Sequence, residues 1–156
     1  MAESRFVYVT YIRTTPEKLW RALLDPEFTR RYWCETHQES EWKPGASWRI
    51  MAPDGTVCDS GEIIEIEPHR RLVLTWRNEF RPELRPEGYS RLTYELEPQG
   101  NAVKLTLIHE IDKPDSKLIQ AVSGGWPAIL ASLKSLLETG ESLEATRRWP
   151  AGGCKK

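Results

Sequence analysis

Apolar and polar positions alternate along most of this chain, and then the period changes. Residues 6–13 read Phe-Val-Tyr-Val-Thr-Tyr-Ile-Arg, a β-branched and aromatic run that predicts a first strand. Thr15-Pro16 then signals a helix start, with Thr15 as cap and Pro16 at the first helical position. Leu19, Trp20, Leu23 and Leu24 follow at helical spacing, and Asp25-Pro26 interrupts them. Asp25 is placed to cap a second short helix ending near Tyr32, with Phe28, Tyr32 and Trp33 on its apolar side.

From residue 36 the period is two. Strands are predicted over 36–42, 47–51, 57–67, 71–77, 89–97 and 102–110, separated by Pro- and Gly-bearing turns. Gly61 suggests a bulge. Leu72, Leu74 and Trp76 share one face, as do Leu92, Tyr94 and Leu96, and Val103, Leu105, Leu107 and His109. Beyond Asp115-Ser116 the period becomes helical. Leu118, Val122, Trp126, Ile129, Leu130, Leu133, Leu136 and Leu137 form one stripe. Gly124-Gly125 and Pro127 lie inside it, so a bend is expected there. Gly140 ends the helix. Residues 1–140 read as one domain and 141–156 as a loose tail.

The strands are too close together for crossover helices, so they pair antiparallel. Only the terminal helix is long and apolar enough to cover such a sheet. The fold class is therefore α+β: a curved antiparallel sheet of about seven strands wrapped around a long C-terminal helix, with two short helices after the first strand.

Composition narrows the function. Lys and Arg number 22 against 23 Asp and Glu, giving a net charge of −1 and no general field for nucleic acid. The basic pairs Arg30-Arg31 and Arg147-Arg148 are flanked by Glu and read as solvated faces. No apolar run approaches the roughly 20 residues that span a bilayer, so no membrane insertion is expected. The first residues lack a signal-peptide pattern. Three Cys, at 34, 58 and 154, form no disulfide framework, and their low odd count suits a cytoplasmic location. Cys34 and His37 have no companions at ligand spacing, so neither a metal nor a cofactor is expected. Neither a nucleophile elbow nor a phosphate loop occurs, and no motif marks an enzyme.

Seven Trp against three Phe is the unusual feature. Parity sends Trp76 inward, and helical spacing sends Trp126 toward it. Trp33, Met51, Trp76, Tyr94, His109, Val122, Trp126 and Leu130 are the candidate lining of a cavity, if they do not simply fill a core. His109 is either a ligand-orienting group or a hydrogen-bonded core histidine. Arg91 is a polar anchor if it points inward and a solubilising residue if it points outward.

Several segments carry a resemblance. Thr15-Pro16-Glu17-Lys18-Leu19-Trp20-Arg21-Ala22-Leu23, continuing to Tyr32-Trp33, is one, and Gly125-Trp126-Pro127-Ala128-Ile129-Leu130 is another. Gly45-Ala46-Ser47-Trp48, Arg71-Leu72-Val73-Leu74-Thr75-Trp76 and Thr106-Leu107-Ile108-His109-Glu110 lie between them in matching order. Over residues 6–138 the chain resembles the START-like helix-grip superfamily (SRPBCC), in the branch similar to the C-terminal domain of the activator of Hsp90 ATPase. The resemblance implies a seven-stranded sheet gripping the long helix with a cavity between them. It leaves function open, because the superfamily includes carriers, receptors, cyclases and co-chaperone domains. The expected partner is a small apolar or amphipathic molecule. The alternatives are a co-chaperone-like interaction domain and a cyclase- or aromatase-like enzyme. A homodimer is compatible with the sequence.

Overall fold

The computed structural model describes residues 3–148. Strand β1 (Ser4–Ile12) leads into helices α1 (Pro16–Leu24) and α2 (Pro26–Tyr32). Strands β2 (His37–Ser40), β3 (Ser47–Met51), β4 (Val57–Glu67), β5 (Arg71–Asn78), β6 (Ser90–Gln99) and β7 (Ala102–Ile111) follow, and helix α3 (Lys117–Thr139) closes the order. All seven strands join one sheet in the order β1-β7-β6-β5-β4-β3-β2, every pair antiparallel.

The helix caps form as the sequence signals. The Thr15 side chain accepts from the Lys18 amide at 3.2 Å and Asp25 accepts from Glu27 at 2.9 Å. Gly140 ends α3 in the left-handed region at φ 89°. Helix α3 is continuous through Gly124-Gly125 and Pro127. One expectation changes. The register shift in β4 falls between Ile63 and Glu65 rather than at Gly61. Gly61 is needed for another reason: a Cβ there would lie 1.8 Å from the Thr75 carbonyl oxygen of β5.

The start of α3 has a cap from outside its own sequence. Glu87, in the loop between β5 and β6, accepts from the Ser116 hydroxyl at 2.5 Å and the Lys117 amide at 2.7 Å. A carboxylate there satisfies orphan amides and complements the helix dipole. At the other end, Glu138 accepts from the Arg13 amide at 2.8 Å and from Lys134 at 2.7 Å, and Lys134 also donates to the Tyr11 carbonyl. These bonds tie the end of α3 to the end of β1.

The Arg13 amide, with help from Lys134, lowers the Glu138 carboxyl below its usual value. A depressed folded-state value gives stability that is present above the unfolded carboxylate value and lost as pH falls through the folded one. Glu138→Gln is therefore expected to lower stability by about 1 kcal/mol at neutral pH. The gap to the parent protein should close as pH drops below about 4.3. Urea unfolding at a series of pH values measures it, and a pH-independent gap would contradict the assignment.

Residues 141–148 do not trail away. The Leu143 amide donates to Ser132 at 2.9 Å, the Cys34 amide donates to the Thr146 carbonyl at 2.7 Å, and Arg147 donates to Ser142. The rest of the expected loose tail, residues 149–156, lies outside the described residues. Cys34 is disulfide-bonded, so the reading of the cysteines as ordinary thiols fails at that position.

Candidate functional site: an indole-lined interior

The inner face of the sheet and the stripe of α3 meet on a cluster of Trp side chains. Parity places Trp48 on β3 and Trp76 on β5, both fully buried. Trp126 comes from the middle of α3 and Trp33 from the residue that ends α2. Ring centroids lie 5.2 Å apart for Trp33 and Trp126, 5.7 Å for Trp76 and Trp126, and 5.0 Å for Trp48 and Trp76. Most of these pairs are tilted or edge-on, the arrangement that ring quadrupoles favour. Tyr94 meets Trp126 edge-on at 6.2 Å.

His109 is buried among these rings, and its two nitrogens have different partners. The Trp126 Nε1–H donates to Nδ1 at 3.1 Å, and Nε2 lies 2.8 Å from Ser90 Oγ. The Ser90 hydroxyl in turn donates to the Trp76 carbonyl at 2.8 Å. An indole N–H only donates, so Nδ1 accepts and the proton sits on Nε2. A cationic imidazole would set two donors face to face across the Trp126 contact. The chain Trp126–His109–Ser90–Trp76 therefore holds a neutral histidine between helix and sheet. Burial pushes the Tyr94 phenol up, as it does Tyr32, where Tyr94 adds to the effect. Both phenols stay protonated at neutral pH.

Trp33, Trp76, Tyr94, His109, Val122, Trp126 and Leu130 are all buried in this interior. Met51 is not with them. Met51 follows Ile50 on β3, so plain alternation sends it to the face opposite the one Trp48 and Ile50 share, and it is only partly buried. Arg91 is exposed on the opposite face of the sheet, where its register partners are Thr75 and Glu110, so it anchors nothing in the interior. Trp48 and Ser90 belong to the cluster and were absent from the predicted lining. Parity with Ile50 would have found Trp48. Ser90 lies in the strand predicted over 89–97 and shares parity with Leu92 and Tyr94, so the same rule would have found it.

What remains between the rings is small. The gap among Trp33, Trp76, Val122, Trp126 and Ile129 has no room for a water molecule, so these rings close on one another as a packed core. The wider clefts lie outside. One of about 390 Å3 brings Arg30-Arg31 and Arg147-Arg148 together beside Glu35 and Glu141 at the end of α3. Arg31 donates there to the Gly140 carbonyl at 3.2 Å, so one role of these side chains is to cap the last turn of the helix. No group of three His, Cys, Asp or Glu side chains among the described residues is arranged to hold a metal. No helix among them is long and apolar enough to cross a membrane.

An antiparallel sheet of seven strands packed on a terminal helix, with two short helices after the first strand, defines the helix-grip class. The model of the family "Activator of Hsp90 ATPase homolog 1-like protein" matches residues 13–138, and the chain belongs to that family. Among solved structures it is similar to protein MLL2253 from Mesorhizobium loti, at 26% identity and a TM-score of 0.73, covering 86% of this chain and 97% of that one. It is also similar to CalU16 from Micromonospora echinospora, at 20% identity and a TM-score of 0.69, covering 87% and 77%. The Aha1 dimer from Colwellia psychrerythraea matches at 16% identity and a TM-score of 0.72, covering 89% and 99%. The last two are likenesses of fold. No curated protein matches the chain.

Proposed function

We propose that this domain binds a small apolar or amphipathic molecule, aromatic by preference, between α3 and the inner face of the sheet. The observation that supports the reading most is the cluster of Trp33, Trp76 and Trp126 between α3 and the sheet, with the Trp126–His109–Ser90 hydrogen bonds beside it. Indole faces remove apolar area from water at about 25 cal/mol per Å2. His109 and Ser90 supply a point at which a polar group is oriented.

The rings are close-packed, so a ligand enters only as they part. Trp33 sits at the end of a short helix and is followed by Cys34 and Glu35, both in the left-handed region at φ 51° and 59°. Consecutive non-glycine residues there hold a turn in a sparsely populated conformation, as functional segments often do.

Titration with 1-naphthol, followed by tryptophan emission and by nitrogen-proton correlation spectra, tests the reading. Saturable quenching is expected, with shifts in the Trp33, Trp126 and His109 signals. Naphthol and a panel of aliphatic and steroid-like probes all failing to saturate would overturn it.

The family supports a second reading, chaperone assistance, for which capture of an Hsp90-type chaperone on immobilised protein is the measurement. The cyclase-like reading required His109, Tyr94 and Arg91 to converge. Arg91 lies on the other face of the sheet, so that convergence does not occur.

A further inference from the structure

We propose that the outer face of the sheet carries a separate binding site, for a zwitterionic molecule of the α-amino acid class with an apolar side chain. Where β5, β6, β7 and β1 lie side by side, that face holds a cleft of about 490 Å3, within the size range of small-molecule sites. Register places its polar groups. Thr75 pairs with Arg91, Arg91 with Glu110, and Glu110 with Arg5, so one row of side chains crosses four strands on one face.

The charges in this row are unevenly used. Arg5 and Glu110 are joined at 3.0 Å and neutralise each other. The Arg91 guanidinium has neither an ion pair nor a hydrogen bond among the described residues. The Thr75 hydroxyl accepts from the Glu62 amide at 2.9 Å, which leaves its own proton to donate. Asp112, just past the end of β7, lines the same cleft and also lacks a partner among the described residues. It follows Glu110 by two positions and so lies diagonal to Arg91, a spacing of about 7–8 Å in an antiparallel pair.

Apolar groups flank these charges. Ile64 is the residue left over where the β4–β5 register shifts, and the bulge leaves this large side chain 44% exposed at the cleft. Tyr89 is 51% exposed, and its ring is held in place by the Arg77 guanidinium, 4.8 Å from the ring centroid. Arg77 is itself held by Glu79 at 2.6 Å. These features select the ligand. The two Arg and two acidic side chains of the lining sum to zero charge, so no net field favours a simple anion or a simple cation. What stays unpaired is one guanidinium and one carboxylate, the complement of a carboxylate and an ammonium carried on a single carbon. Arg91 and the Thr75 hydroxyl donate to the ligand carboxylate, Asp112 accepts from its ammonium, and Tyr89 with Ile64 covers its side chain.

Nitrogen-proton correlation spectra of the full chain, titrated with L-phenylalanine, phenylpropionate and phenethylamine, are the test. Phenylalanine is expected to saturate in the millimolar range, shifting the amides of Thr75, Tyr89, Arg91 and Asp112. Each analogue lacks one of its two charges and should bind roughly fivefold or more weakly. Arg91→Gln should reduce phenylalanine to the level of phenethylamine, and Asp112→Asn should reduce it to the level of phenylpropionate. Tyr89→Ala should weaken all three. All three side chains are exposed or half-buried, and unchanged circular dichroism verifies that each variant folds. No saturable binding, analogues that bind as well as phenylalanine, variants that bind it unchanged, or shifts at Trp126 and His109 instead would each overturn the proposal. The naphthol titration reads the interior and is independent of these outcomes.

Discussion

Gly61→Ala is expected to cost this protein more than 3 kcal/mol, at or beyond the upper end of ordinary overpacking. The added methyl would stand 1.8 Å from the Thr75 carbonyl oxygen and 2.5 Å from its carbon. Both are backbone atoms of the adjacent strand, so no rotamer change relieves the clash. Strand β4 would have to move away from β5, and Gly61 also faces Trp48 on β3. The inner rings of Trp48 and Trp76 would separate with the strands. For a domain of this size the loss corresponds to a Tm lower by about 10 °C. Gly124→Ala is the matched control. Nothing lies within 4 Å of a Cβ there, and the site is helical. That change should stabilise by about 0.5–1 kcal/mol. Thermal unfolding of both variants measures the contrast, and a Gly61→Ala protein within 1 kcal/mol of the parent would contradict the described approach of β4 to β5.

Trp126→Ala is the second large effect, at about 3–5 kcal/mol. It removes the ring that touches Trp33, Trp76 and Tyr94, and it leaves His109 Nδ1 without its donor. Trp126→Phe separates the two losses. It keeps most of the ring volume and discards the N–H, so about 1–3 kcal/mol is expected. Free indole should recover part of the Trp126→Ala loss by binding the space created, since apolar cavities accept small aromatic molecules. Denaturant unfolding with and without indole gives all three values. An alanine variant as stable as the phenylalanine variant would mean that the ring is not packed as described.

The sequence made the architecture readable where local chemistry and periodicity agree. Thr15 and Asp25 announce caps that form. The alternation of Val103, Leu105, Leu107 and His109 reports the inner face of β7, all fully buried. The meeting of Trp76 with Trp126 followed from combining a period of two with a period near 3.6. Met51 was counted among the lining although it stands one residue from Ile50, and alternation along β3 turns it to the other face. Other features depend on pairings that no local pattern contains. Gly61 suggested a bulge, but the reason for glycine is a carbonyl contributed by a strand 14 residues on. Ser90 matters only because β6 sets it beside both His109 and the Trp76 carbonyl. Arg91 was undecided between faces until the register with Thr75 and Glu110 fixed it outward.

Glu87 makes the terminal helix depend on a distant loop. Its carboxylate lies 29 to 31 residues before the groups it receives from Ser116, Lys117 and Leu118. The first turn of a helix is the costly one to form, since several dihedrals are fixed for a single bond. In this protein that step draws on a group already positioned by the β5–β6 connection. The longest helix in the chain therefore has its starting point assigned by the sheet, and any loosening of residues 80–88 propagates directly to the element that covers the core.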